Sequence, residues 1–313
     1  MPSSGKRGDA GRLEQTGFVA YLPKPVSQSH LIDTLLTIIG RRPEDTSPPA
    51  RLITQHTIDE DRKRKIRILL AEDNIINQKV ALKMLENMGY HADAVANGLE
   101  AVTALKTIPY DLVLMDVQMP EMDGFEVTRV IRDPQSEVSN PDIPVIAMTA
   151  HTMKGDREKC LETGMNDYLS KPVQQDELTE IINRWAFHIV SDGHDLPHDL
   201  PEESLPVFYK DELLQRLGGD EQMYRELINL FLNDLPDMIC SLEEAIGRSD
   251  ATGVRYQAHT IKGAAGTVGA TSLAEAALRI EETATQENLE HAGQLMDVVR
   301  KEFDGLKVII SPS

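Results

Sequence analysis

The chain is 313 residues long, room for two or three domains, and its 41% hydrophobic and 27% charged residues are those of an ordinary globular protein. Acidic residues outnumber basic ones 51 to 32, a formal net charge of −19, which argues against direct binding to nucleic acid or anionic lipid, since both need clustered Lys and Arg. No apolar run reaches membrane-spanning length, no signal peptide opens the chain, and Cys160 and Cys240 make no disulfide framework, so a reducing, cytoplasmic setting is expected.

In chain order, residues 8–25, GDAGRLEQTGFVAYLPKP, repeat the pattern of 155–172, GDREKCLETGMNDYLSKP. Tyr21 matches Tyr168 and Lys24-Pro25 matches Lys171-Pro172. Residues 1–40 therefore read as a truncated remnant, the tail of a second copy of the α/β domain that follows. The copy would lack its first three strands and its acidic residues, and Pro2 stands where Thr149 stands. Residues 41–65 carry Pro43, Pro48, Pro49 and mixed charge and read as a linker, including the basic run Arg62–Lys65.

Residues 66–188 alternate strand and helix. IRILLA and DLVLM are short apolar runs of the kind buried on both faces of a parallel sheet, while HADAVA and the run around Tyr168 are weaker strands. The helix after Asn77 places Val80, Met84, Leu85 and Met88 on one face, with Gly89 as its stop. The expectation is a doubly wound α/β domain with a five-stranded parallel sheet in the order 2-1-3-4-5 and five helices. Residues 189–206, acidic and proline-containing, read as a second linker. Residues 207–310 show helical periodicity throughout, broken at Gly218-Gly219, Ser249-Asp250 and Gly269, as in an antiparallel four-helix bundle. Pro236 should bend the longest helix or mark its first turn.

Five residues stand at the ends of the α/β strands: Glu72 and Asp73 after the first, Asp116 after the third, Thr149 after the fourth and Lys171 after the fifth. In the expected strand order the first and third strands are neighbours at the switch point, where ligands bind. Three carboxylates so close repel one another unless a cation intervenes, and a hard divalent ion with oxygen ligands, Mg²⁺, is the natural partner. Glu72, Asp73 and Asp116 would hold it, with the backbone carbonyl of Gln118. Lys171 would neutralise phosphoryl oxygens and Thr149 would donate a hydrogen bond to one, leaving Asp116 as nucleophile. A lone strand-end Asp is usually a cap or turn residue. The specific signal is LAEDN, LMDVQMPEMDG, MTA and YLSKP in this order and spacing.

In the helical region, AHTIKGAAG carries His259. At about 100° per residue, Val254, Ala258, Ile261, Ala265 and Val268 form a core stripe and His259 lies about 140° from it, facing outward. Lys262, Gly263 and Gly266 fall on its side. Two glycines on an exposed helix face carry a helix-propensity cost, and the absent side chains would let another protein surface approach the imidazole.

On these motifs, residues 66–188 resemble a response-regulator receiver domain of the kind fused to hybrid sensor histidine kinases, and 207–310 resembles a histidine-phosphotransfer (HPt) domain. The resemblance implies Asp116 as phosphoacceptor, Glu72 and Asp73 as the acid pair, Thr149 and Lys171 as switch residues, and Tyr168 as the aromatic that reports activation. It implies His259 as the phosphorylated histidine and Lys262 as its phosphate support, with His151 on a docking surface. Ala264 and Thr267 depart from the HPt pattern, where serine and asparagine are frequent. The expected function is a phosphorelay, with histidine kinases and receiver proteins as partners. A hybrid kinase whose ATP-binding core lies on a missing N-terminal part is an alternative, since no ATP-binding segment is visible here. An aspartyl phosphatase is disfavoured by Gln118 two residues after Asp116, and an inactive scaffold by the complete acid pair and Lys171.

Overall fold

The computed structural model describes residues 63–149, 154–186, 210–286 and 288–310, together with 19–21, 31, 34–35, 38 and 53–54. It has two compact units, Met1–Ile66 and Arg67–Ser313. In the first, β1 (Ala20–Tyr21) pairs in parallel with β2 (Ile53–Thr54). The internal repeat aligns Ala20 and Tyr21 with Asp167 and Tyr168, which also lie in a strand. β2 falls within the segment that reads as a linker. Most of 1–65, all of 189–206 and His151 lie outside the described residues.

The second unit opens with a five-stranded, all-parallel sheet of β3 (Arg67–Ala71), β4 (His91–Val95), β5 (Leu112–Asp116), β6 (Val145–Thr149) and β7 (Asp167–Ser170), in the order β4-β3-β5-β6-β7. This is the doubly wound order that the alternation predicts. β5 and β6 are buried at every residue, as continuous apolar runs covered on both faces must be. Leu69, Val113, Met115 and Val145 share one core with Leu105, Val127 and Ile131. The alternate residues Leu70, Leu114 and Ile146 point to the opposite face and are buried as fully.

Four helices connect the strands, α1 (Ile75–Asn87), α2 (Gly98–Thr107), α3 (Gly124–Arg132) and α4 (Lys154–Thr163), and a fifth, α5 (Gln175–Ala186), follows β7. Asn74 caps α1 by accepting from the N–H groups of Ile76 and Asn77, and Gly89 ends it at φ 88°. Asp123 and Glu126 form a reciprocal capping box at the start of α3. Gly124 is required there, because a Cβ would collide with the backbone carbonyl of Asp116. The absent side chain thus lets α3 begin directly against the end of β5.

The bundle comprises α6 (Lys210–Arg216), α7 (Glu221–Gly247), α8 (Ala251–Val268), α9 (Thr271–Thr285) and α10 (Leu289–Ile310). Each of α7 to α10 packs on the next, and α10 returns to α7. Phe231, Leu235, Val254, Ile261, Val268, Ile280 and Val299 fill the centre at 0% exposure. Asp220 and Asp250 cap α7 and α8, and Gly269 ends α8 in the left-handed conformation at φ 84°. Pro236 lies in the interior of α7, so it does not mark that helix's first turn. α1 packs against α6, α7 and α8, which seats the bundle on the carboxyl end of the sheet within one unit.

Candidate functional site

Glu72 and Asp73 follow β3, Asp116 ends β5, Thr149 ends β6 and Lys171 follows β7. Parallel pairing brings all five to one edge of the sheet. One carboxylate oxygen from each of Glu72, Asp73 and Asp116 lies within 4.8 Å of the others, a cluster able to hold a metal ion. The Lys171 ammonium sits 2.6 Å from Glu72 Oε2 and 2.7 Å from Asp116 Oδ2, with Glu72 and Asp116 side chains only 2% and 3% exposed.

Burial, first, and repulsion from Glu72 and Asp73 push the Asp116 carboxyl above the usual carboxylate range, with Lys171 pulling the other way. Burial also raises Asp73, and Glu72 adds to the rise. For Lys171, burial disfavours the charge, but Asp116 and Glu72 outweigh it and hold the ammonium above its ordinary value. Three carboxylates therefore face one ammonium, and the cluster is short of positive charge.

The donor set fits a hard divalent cation: every candidate is an oxygen. The side-chain oxygen Gln118 Oε1 is buried with no hydrogen-bond partner beside Asp116, while the Gln118 N–H donates to Asp116 Oδ1 at 3.1 Å. Thr149 is buried at the end of β6. Tyr168 is half-buried beneath the Arg157 guanidinium, 5.7 Å from its ring centroid.

On the bundle, His259 Nδ1 is 2.9 Å from Glu281 Oε1, and Lys262 Nζ is 2.5 Å from Glu281 Oε2. An ionised carboxylate only accepts, so Nδ1 carries the hydrogen and Nε2 keeps its lone pair. Burial pushes the His259 pKa down, against the upward pull of Glu281. Glu281 is held down to about 2: burial opposes its charge, and His259 and Lys262 more than compensate.

The helical wheel points His259 outward to solvent, and the structure corrects this: it is 8% exposed. It does point away from the core stripe, but Glu281 of α9 packs on one side of it and the sheet domain lies over α8. A single helix contains neither element. A cleft of about 480 Å³ is lined by Asp116, Thr149, Arg255, Tyr256 and His259, so the aspartate and the histidine face the same space. Gly263 lies against the sheet domain, since a Cβ there would come 3.3 Å from Asn77 Nδ2, whereas one at Gly266 would meet nothing within 4 Å.

Glu281 is absent from the residues that the motifs single out. It had a signal: in α9 it falls among the buried positions Ala277, Ile280 and Ala284, where a carboxylate requires a partner. Tyr256 is also absent from them. Its hydroxyl donates to Asp73 Oδ2 at 2.7 Å across more than 180 residues of sequence, a contact with no local signature.

Residues 68–183 match the family described as the response regulator receiver domain, and residues 226–308 match the Hpt domain. The sensor histidine kinase GacS of Pseudomonas protegens is 31% identical over 280 residues, covering 88% of this chain but 30% of that protein. The signal transduction histidine-protein kinase BarA of Escherichia coli K12 is 28% identical over 267 residues, covering 83% of this chain and 28% of that protein. The chain thus spans about 30% of the length of these relatives. Among solved structures, the receiver domain of a sensor histidine kinase from Pseudomonas aeruginosa, with magnesium coordinated in its active-site cleft, is 44% identical over 39% of this chain and 98% of its own, at a TM-score of 0.36. A co-crystal of the Saccharomyces cerevisiae histidine phosphotransfer protein Ypd1 with the receiver domain of Ssk1 matches at 32% identity over 42% of this chain and 96% of that chain, at a TM-score of 0.37.

Proposed function

Because the chain carries a receiver domain followed by an Hpt domain, the composition of a two-component phosphorelay protein, we propose that Asp116 and His259 are two successive phosphoryl stations that exchange directly within one chain. The observation that carries this reading is the shared cleft between them.

Asp116 takes a phosphoryl group from the phosphohistidine of a histidine kinase. Its carboxylate oxygen attacks phosphorus, and the phosphorus–nitrogen bond breaks. Lys171, already 2.7 Å from Asp116, neutralises the transferred oxygens, and the Thr149 hydroxyl donates to one of them. Mg²⁺ held by Glu72, Asp73, Asp116 and the Gln118 carbonyl supplies further positive charge at those oxygens when bound. Tyr168 reports the phosphorylated state.

In the second step His259 Nε2 attacks phosphorus of the aspartyl phosphate, and the Asp116 carboxylate leaves. The hydrogen on Nδ1 stays on the ring, and Glu281 stabilises the positive charge that the imidazole gains. Lys262, one turn from His259, offsets the Glu281 charge and supports the phosphoryl group. A receiver of another protein then takes the phosphate from His259. It must displace the chain's own receiver domain to do so, because the same face of α8 is covered. The relatives are histidine kinases, so an ATP-dependent kinase is the proposed source of phosphate. Cys160, buried, and Cys240, exposed, are thiols outside any disulfide and fit a cytoplasmic site for this exchange. Among the described residues no helix is long and apolar enough to cross a membrane.

The test is labelling of the full chain with acetyl phosphate and Mg²⁺. Base-stable histidyl phosphate should appear after aspartyl phosphate. Asp116→Asn should remove both, and His259→Gln only the first. Histidyl phosphate that forms equally in Asp116→Asn would refute direct exchange.

A further inference from the structure

Beyond the residues that carry phosphate, α8 reaches the acid pair at two points that straddle His259. Tyr256, one turn before the histidine, donates its hydroxyl to Asp73 Oδ2 at 2.7 Å. Thr267, two turns after it, donates to Asn77 Oδ1 at 2.6 Å, and Asn77 Nδ2 donates in turn to Glu72 Oε1 at 2.7 Å. One helix of the bundle therefore touches both members of the acid pair, Asp73 directly and Glu72 through one amide. Thr267 is buried and Tyr256 half-buried, so the bonds form out of bulk water, where losing one partner strands the other. Two other polar contacts between sheet domain and bundle are peripheral. Lys83 to Asp220 at 3.5 Å joins an exposed aspartate side chain, 38% accessible, and Gln174 donates to Glu212 at 3.1 Å on a side chain 40% accessible.

The geometry is that of a two-point register. A single hydrogen bond fixes a distance and leaves α8 free to pivot about it. Two bonds about three turns of helix apart fix the helix axis, and His259 lies between them. Gly263, on the same stretch, leaves the room in which Asn77 approaches α8, as its 3.3 Å Cβ clearance shows. Thr267 is also the position where the HPt pattern commonly has asparagine. The threonine hydroxyl is a short donor matched to the Asn77 carbonyl.

We propose that Tyr256 and Thr267 are positioning residues that seat His259 over Asp116 of its own receiver domain, Tyr256 through Asp73 and Thr267 through the Asn77–Glu72 amide bridge. The proposal rests on the direct exchange argued above. It adds that the chain's two domains recognise each other through the acid pair itself, so a foreign receiver without an asparagine at the Asn77 position loses one of the two points.

The test uses the full chain and two readouts. The first is the rate at which histidyl phosphate appears from acetyl phosphate at saturating Mg²⁺, alongside aspartyl phosphate on Asp116. Tyr256→Phe and Thr267→Val should each slow the histidyl product about three- to tenfold, the range one net hydrogen bond spans, while Asp116 still labels. Thr267→Ser should restore the rate. Thr267→Val combined with Asn77→Ala should be no slower than the slower single variant, since both remove the same bond. The second readout is amide hydrogen exchange in the unphosphorylated, Mg²⁺-free chain, where α1 should exchange faster in Tyr256→Phe and Thr267→Val than in the wild type. A wild-type chain that forms no Asp116-dependent histidyl phosphate would sink the exchange reading itself. A wild type that does so, with Phe and Val variants matching it in rate and exchange, overturns the positioning proposal alone. Equal losses in Thr267→Ser and Thr267→Val, additive losses in the cycle, or slowed transfer with unchanged exchange also overturn it.

Discussion

The acid cluster at the sheet edge and the histidine site on the bundle, the two proposed phosphoryl stations, solve the same burial problem in opposite ways. At the sheet edge three carboxylates share one ammonium, so negative groups outnumber positive ones in the cluster. At the bundle, one carboxylate, one ammonium and one neutral imidazole close on each other, with both Glu281 oxygens occupied. The first arrangement needs an outside cation to ionise fully, and so is built to change state on binding. The second is already satisfied, and so presents a histidine in one tautomer with no cofactor of its own. The difference teaches that, in the proposed relay, the acceptor that activates the chemistry is the electrostatically unfinished one and its partner is a pre-set substrate.

Removing charge from each site should break the comparison most sharply. Asp73→Ala takes one oxygen ligand from the acid cluster, and Mg²⁺ affinity by isothermal titration should fall by about tenfold or more, an effect worth about 1.4 kcal/mol or more. The same substitution also removes the acceptor of the Tyr256 hydroxyl and should loosen α8 on the sheet domain. Conversely Glu281→Ala strands the Lys262 ammonium and frees the imidazole tautomer. It should destabilise the bundle by about 3 kcal/mol in urea unfolding, as losing one partner of a buried ion pair does, with Mg²⁺ affinity retained. Loss of Mg²⁺ affinity in Glu281→Ala would mean that the sites are not electrostatically separate.

Acid should act next. The folded-state pKa of Glu281, about 2, lies below its ordinary 4.5, so its contribution is fully present above about 4.5 and lost as pH falls toward 2. By linkage this amounts to at most about 3 kcal/mol. His259, whose pKa burial also lowers, acts in the same direction as pH falls through its ordinary value of 6.5. Urea midpoints of the bundle should drop across this range in the wild type and more shallowly in Glu281→Gln. An equal slope in both would assign the acid sensitivity elsewhere.

The smallest effects belong to the two glycines, which sharpen the map of the covered face. Gly263→Glu places bulk and charge where Asn77 approaches and should slow histidyl phosphate formation about tenfold with helical circular dichroism intact. Gly266→Ala meets nothing within 4 Å. It should leave transfer unchanged and raise helix stability by up to about 1 kcal/mol. If both glycines tolerate substitution equally in transfer assays, the sheet domain does not cover this helix during exchange.

Much of this molecule was determined locally. The apolar runs of β3 and β5, the helix stops at Gly89 and Gly269, the capping box at Asp123 and the core stripe of α8 all follow from side-chain periodicity and backbone chemistry, which act over a few residues. The strand-end positions of Glu72, Asp73, Asp116, Thr149 and Lys171 were legible for a related reason: a parallel sheet carries every strand's carboxyl end to the same edge, so order along the chain becomes proximity in space. The tertiary structure alone decided the burial of His259, its bond to Glu281, and the reach of Tyr256 and Thr267 to the acid pair. Each joins residues far apart in the chain, and a hydrogen bond depends on tenths of an ångström that no pattern of residue types encodes. Periodicity tells which way a side chain points from its own helix, and only the packed neighbours determine what it meets there.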